Sequence, residues 1–87
     1  MAALDLLGRR WTLRLLWELR EGPLTFRAIR DACEQVSPTV LNTRLRELKE
    51  SGIVESTDAG YALTAQGRKL RRSLAPLYRW AEEEWTS

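Results

Sequence analysis

The chain has 87 residues, 44% of them hydrophobic and 30% charged, enough apolar material for one compact core and too little for two. With one cysteine and no histidine, an internal disulfide framework is excluded, and the usual zinc sites and histidine-based acid–base catalysis lack their parts. The formal net charge is only +2, yet Arg68, Lys69, Arg71 and Arg72 form a basic cluster and Glu82, Glu83 and Glu84 an acidic one.

Residues Ala2 to Leu7 read as a short first helix ended near Gly8. No basic residue precedes their apolar positions and no long apolar run follows, so neither a signal peptide nor a membrane span is predicted, and a cytoplasmic location is expected. Trp11 to Arg20 forms a second helix whose Trp11, Leu13, Leu15, Leu16, Trp17 and Leu19 cover most of its circumference. A helix that apolar must be covered on two sides, by its own domain and by another subunit. Glu21-Gly22-Pro23 stops it, Leu24 and Thr25 are assigned to a very short strand, and Phe26 to Cys33 to a third helix with Phe26, Ile29, Ala32 and Cys33 on one side.

Ser37-Pro38 is a strong helix start, because the serine oxygen can accept from a free backbone N–H and proline at the first helical position loses nothing. The fourth helix runs from Pro38 to Ser51. Gly52 then takes the left-handed conformation, with Ile53 touching Leu48 as in a Schellman ending. Ile53 to Thr57 and Tyr61 to Leu63 are β-prone runs around Asp58-Ala59-Gly60, suited to a small hairpin wing. Thr64 caps a final helix to about Trp85, with Leu70, Leu74, Leu77 and Ala81 at near-heptad spacing and Pro76 expected to kink or break it.

The predicted fold is therefore mainly α with a small β-hairpin, a winged helix-turn-helix in one domain over residues 1–87, its N- and C-terminal helices serving dimerisation. A domain this small buries only about 60% of its unfolded surface, which makes added burial between subunits physically reasonable.

Winding the fourth helix at about 100° per residue puts Leu41, Leu45 and Leu48 in one narrow stripe and Thr39, Asn42, Thr43 and Arg46 on the opposite side. That second set is what a major-groove reader requires. Arginine donates twice to guanine, asparagine pairs with adenine, and threonine meets thymine methyls or phosphate. Ser37 and Pro38 stand at the helix N-terminus, where the dipole favours phosphate. Thr57 on the hairpin and Arg68 and Lys69 on the last helix complete the candidate contacts with double-stranded DNA. The alternative for Arg46 is an ordinary i,i+4 ion pair with Glu50, and for Arg44 a stem laid along the core.

With these residues in place, the chain resembles the HxlR-type winged helix-turn-helix regulators over nearly its whole length. The resemblance is carried by Gly8-Arg9-Arg10-Trp11-Thr12-Leu13, Gly22-Pro23-Leu24-Thr25-Phe26, Ser37-Pro38-Thr39-Val40-Leu41-Asn42-Thr43-Arg44-Leu45-Arg46-Glu47-Leu48, Gly52-Ile53-Val54 and Tyr61-Ala62-Leu63-Thr64-Ala65-Gln66-Gly67. It implies a homodimer held by the first and last helices, with the fourth helix in the major groove and the hairpin near the flanking backbone or minor groove. Two departures are Arg9 where the family usually has a second glycine, and a short wing. The wing tip also carries no lysine or arginine, which argues against deep minor-groove insertion.

Family members that sense oxidants or electrophiles use a cysteine near the N-terminus. This chain has none there, and Cys33 on an apolar face reads as a buried structural thiol. Trp11, Trp17, Trp80 and Trp85 are assigned to core or dimer interface, the other reading being a pocket for a small flat hydrophobic effector between subunits. No cofactor, metal site or enzymatic activity is predicted. The main expectation is a sequence-specific, dimeric transcriptional regulator. A winged-helix module for protein–protein contact without DNA binding stays open, supported by the uncharged wing tip and the modest net charge.

Overall fold

The computed structural model describes residues 2–84. It contains helices α1 (Ala2–Leu7), α2 (Thr12–Glu18), α3 (Phe26–Ala32) and α4 (Pro38–Glu50), strands β1 (Val54–Thr57) and β2 (Gly60–Leu63), and helix α5 (Ala65–Glu83). Trp85, the expected end of the last helix, lies outside the described residues.

The predicted order of helices and hairpin holds, the short strand expected between α2 and α3 does not form, and the other differences lie at element ends. Helix α2 begins at Thr12 because Trp11, its N-cap, sits at φ 79° in the left-handed region and offers no side-chain cap. Beyond Glu18 the chain narrows through single turns, Arg20 N–H to the Trp17 carbonyl and Gly22 N–H to the Leu19 carbonyl. The expected strand at Leu24 and Thr25 is a one-residue bridge. Leu24 exchanges two backbone bonds with Tyr61, at 2.9 and 2.8 Å, while the Thr25 hydroxyl turns away to cap α3 by accepting from Ala28 N–H. Cys33 caps α3 rather than extending it.

The hairpin is tighter than its composition indicated. Thr57 pairs with Gly60, so the turn is Asp58-Ala59 alone. The Thr57 hydroxyl accepts from Ala59 N–H and donates to the Gly60 carbonyl, closing that turn with a side chain. Helix α5 runs unbroken through Pro76. Proline there removes one helical hydrogen bond, but the turns on either side continue, so of the expected kink or break the break does not occur.

One apolar cluster joins the elements. Leu15 and Leu16 from α2 with its C-cap Leu19, Ile29 from α3 with Cys33, and Leu41, Leu45 and Leu48 from α4 meet Val54 and Leu63 of the hairpin. The leucine stripe of α4 is fully consumed in this core, so the helix can rotate no further and its other side must face outward. Leu70 and Leu74 of α5 pack at the edge of the cluster, whereas Leu77 and Trp80 further along are exposed. No helix among the described residues is long and apolar enough to cross a membrane.

Candidate nucleic-acid interface

Helix α4 is held at both ends by its own sequence. The Ser37 hydroxyl accepts from Val40 N–H at 3.1 Å, with Pro38 in the first turn. At the far end Gly52 takes φ 75°, Ile53 N–H reaches the Leu48 carbonyl and Gly52 N–H the Lys49 carbonyl, the two bonds of a Schellman ending. Between these caps Ser37, Pro38, Thr39, Asn42 and Arg46 are exposed and Thr43 is half-buried.

The two arginines of α4 have different surroundings. Arg46 is 65% exposed and only 4.0 Å from Glu50, a surface pair too long and too wet to hold it. Arg44 is 18% exposed and anchored: its Nε donates to the Arg10 carbonyl at 3.0 Å and its guanidinium to Glu47 at 2.9 Å. Arg46 is available to a ligand, and Arg44 is a structural tie. The Thr43 hydroxyl donates back to the Thr39 carbonyl at 2.9 Å, leaving its methyl and the accepting side of its oxygen to meet a partner.

The remaining candidates lie on other elements. Thr57 is exposed at the hairpin turn, but its hydroxyl hydrogen is committed to Gly60. Arg68 donates to the Leu63 carbonyl at 3.0 Å, and Lys69 beside it is exposed. Thus the structure gathers Ser37, Pro38, Thr39, Asn42, Thr43 and Arg46 on one helix, and leaves Thr57, Arg68 and Lys69 on the hairpin and α5.

Two contacts beside this face escape sequence reasoning. Lys49 lies 5.9 Å over the Tyr61 ring and ties α4 to the hairpin. Glu47 pairs with Arg9 at 3.4 Å as well as with Arg44, fastening the α1–α2 turn to the other flank. The signal for both was the winding angle, which puts Lys49 and Arg44 about 140° apart on opposite sides of the apolar stripe. Their partners, distant in sequence, gave none.

Cys33 is buried, as its place on the apolar face required, and burial pushes its thiol up from the ordinary value despite nearby Arg14. The described tryptophans occupy separate settings. Trp11 stands under Arg10 at 5.6 Å, Trp17 packs between Arg20 and Tyr78 at 3.8 and 5.1 Å, and Trp80 is exposed on α5.

A compact helical domain with its second helix-turn-helix helix exposed ahead of a hairpin is a winged helix, and the family model for HxlR-like helix-turn-helix proteins matches residues 6–87. The chain belongs to the HxlR-like helix-turn-helix family. This HxlR-like regulator is 32% identical to the HTH-type transcriptional regulator YvaP of Bacillus subtilis, over 93% of this chain and 82% of that protein. Quinone-bound YodB of B. subtilis superposes with a TM-score of 0.85 at 33% identity, covering 94% of this chain and 93% of the YodB chain. A possible HxlR family transcriptional factor from Thermoplasma volcanium gives a TM-score of 0.85 at 34% identity, covering 91% and 77%. The relatives are transcriptional regulators of a helix-turn-helix family, and this chain is one of them.

Proposed function

We propose that this HxlR-like regulator binds operator DNA as a homodimer, placing the N-terminal half of α4 in the major groove of each half-site. The observation that carries the reading is the exposed strip Thr39, Asn42 and Arg46 on a helix whose opposite stripe is sealed in the core. Arg46 and Asn42 supply the base-edge donors, and Ser37 and Pro38 at the capped N-terminus bring the first turn near phosphate. Lys69 is the better phosphate ligand of the α5 pair, since Arg68 is already bound to a carbonyl. The hairpin, with an acidic residue at its tip and the Thr57 hydroxyl hydrogen committed to Gly60, stays near the backbone without entering the minor groove.

The chain acts as one domain, and α1 and α5 are the dimer elements. Leu4, Leu77 and Trp80 are the large apolar side chains left exposed among the described residues, and all three lie on those two helices. A regulator of this class acts in the cytoplasm, where its DNA is. The quinone in YodB is a flat hydrophobic molecule, and a comparable effector of this chain would have to sit between subunits, because Trp11, Trp17 and Trp80 do not share one pocket wall within the protomer.

Equilibrium binding to a duplex selected from random sequence, and to random duplex, tests the proposal. Arg46→Ala should lower affinity for the selected site by tenfold or more, about 1–3 kcal/mol for a bidentate base contact, with a much smaller change on random DNA. Equal losses on both duplexes would remove Arg46 as a reader. Absence of salt-dependent binding by the unaltered protein would return the domain to protein–protein contact.

A further inference from the structure

The exposed face of α4 has the hairpin on one flank only. On the other flank lies the α1–α2 turn, and its position is set by bonds rather than by chain connectivity. Arg44 of α4 holds the Arg10 carbonyl at 3.0 Å, and Glu47 of α4 pairs with Arg9 at 3.4 Å. Arg14, in the first turn of α2, donates to the Ala32 carbonyl at 2.8 Å, just before the connection into α4. The turn is therefore tied to the reading helix and to the segment that precedes it. Trp11 at φ 79° is held there in a conformation that tryptophan adopts at a cost.

The charge of this flank follows from the same bonds. Glu47 would repel a phosphate strand, but it is shared between two guanidiniums, those of Arg9 and Arg44. Arg10 adds a third. Its side chain is exposed, resting over the Trp11 ring at 5.6 Å, and only its backbone carbonyl takes part in the tie to α4. Arg9, Arg10 and Arg14 border one open depression of about 410 Å³.

Resting on the DNA-binding reading above, we infer that the Arg9-Arg10 turn is a second phosphate-binding element, which grips the DNA backbone on the flank of α4 opposite the hairpin. Arg10 meets the phosphate, and Arg44 and Glu47 are positioning residues that hold the turn in place. The arrangement makes up for a wing tip without basic residues: backbone grip is supplied from the N-terminal side of the reading helix.

The test is a salt series by fluorescence anisotropy on the selected and the random duplex, with the unaltered chain, Arg10→Gln and Arg10→Lys. Removing one cation from a phosphate should reduce the slope of log K against log salt by about 0.9. Arg10→Gln is expected to show that reduction on both duplexes, with their affinity ratio unchanged, and Arg10→Lys to recover most of the slope. Thermal unfolding should change little among the three, since the substituted side chain makes no tie to α4 and gives up only an exposed contact with the Trp11 ring. An Arg10→Gln slope equal to that of the unaltered chain, where the latter is steep, overturns this inference and leaves the role of α4 standing. A flat slope for the unaltered chain overturns both.

Discussion

Gly67 shows how much a single residue can depend on its distant neighbours. On its own it is a lone glycine in a helix, a weak point worth up to about 1 kcal/mol against alanine. In the structure it is buried in the first turn of α5, and a Cβ added to it would collide with the Ile53 carbonyl oxygen and crowd the Leu63 Cβ. The obstacle is backbone, so it cannot swing aside. Gly67→Ala is therefore expected to destabilise the fold by about 2 kcal/mol, overpacking outweighing helix propensity. Urea unfolding measures it, and an unchanged or raised midpoint would contradict the close approach. The same distinction separates Arg44 from Arg46. They are two residues apart and identical in chemistry, yet one is tethered to Arg10 and Glu47 and the other reaches solvent.

Among the elements, α5 is joined to α2 by Tyr78, whose hydroxyl donates to the Leu13 carbonyl at 2.6 Å and whose ring meets Trp17. Removing that hydroxyl with Tyr78→Phe should cost about 1 kcal/mol near neutral pH. Burial pushes the Tyr78 phenol up to about 12, with nearby Arg71 opposing. The unfolded chain then loses the phenolic proton first as pH rises past about 10. Native Tyr78 retains its proton in that window, so its stabilising effect is present in full below pH 10 and fades toward pH 12. Chemical denaturation at pH 8, 10 and 11 should show the unaltered protein losing stability faster than Tyr78→Phe above pH 10; parallel curves would remove the linkage. The caps of α4 and α5 could be read in advance because Ser37, Pro38, Gly52 and Thr64 act on backbone groups within three or four residues. The start of α2 could not, since its N-cap is Trp11, which has no side-chain oxygen to accept a bond, and its left-handed backbone accompanies ties that come from α4 and the α3 end.

At the scale of the whole molecule, the apolar surface not used inside the protomer locates the proposed dimer contact. Leu77 is 44% exposed and follows Leu70 and Leu74, which pack on the core, along the same helix. Leu77→Glu should leave the protomer folded, as surface substitutions usually stay within about 0.5 kcal/mol. Sedimentation is expected to show it shifted from dimer to monomer. Binding to a palindromic site, whose two half-sites lie about 34 Å apart, should weaken strongly while a single half-site is bound as before. A variant that remains dimeric would move the contact away from α5.

By itself the sequence determined the order of helices and hairpin, the leucine stripe and polar strip of α4, the caps of α4 and α5, the buried place of Cys33 and the family, because each rests on spacing within a helix turn or on backbone groups a few residues away. Only the tertiary structure decided that Pro76 is accommodated, that Gly67 is a point of close approach, that Thr57 and Arg68 are turned to their own backbone, and that Arg9 and Arg10 flank the reading helix. The ties of Arg9 and the close approach at Gly67 depend on residues 38 and 14 positions away, Glu47 and Ile53, while Thr57 and Arg68 meet carbonyls only three and five positions away, and no periodicity encodes which carbonyl or carboxylate a side chain will meet.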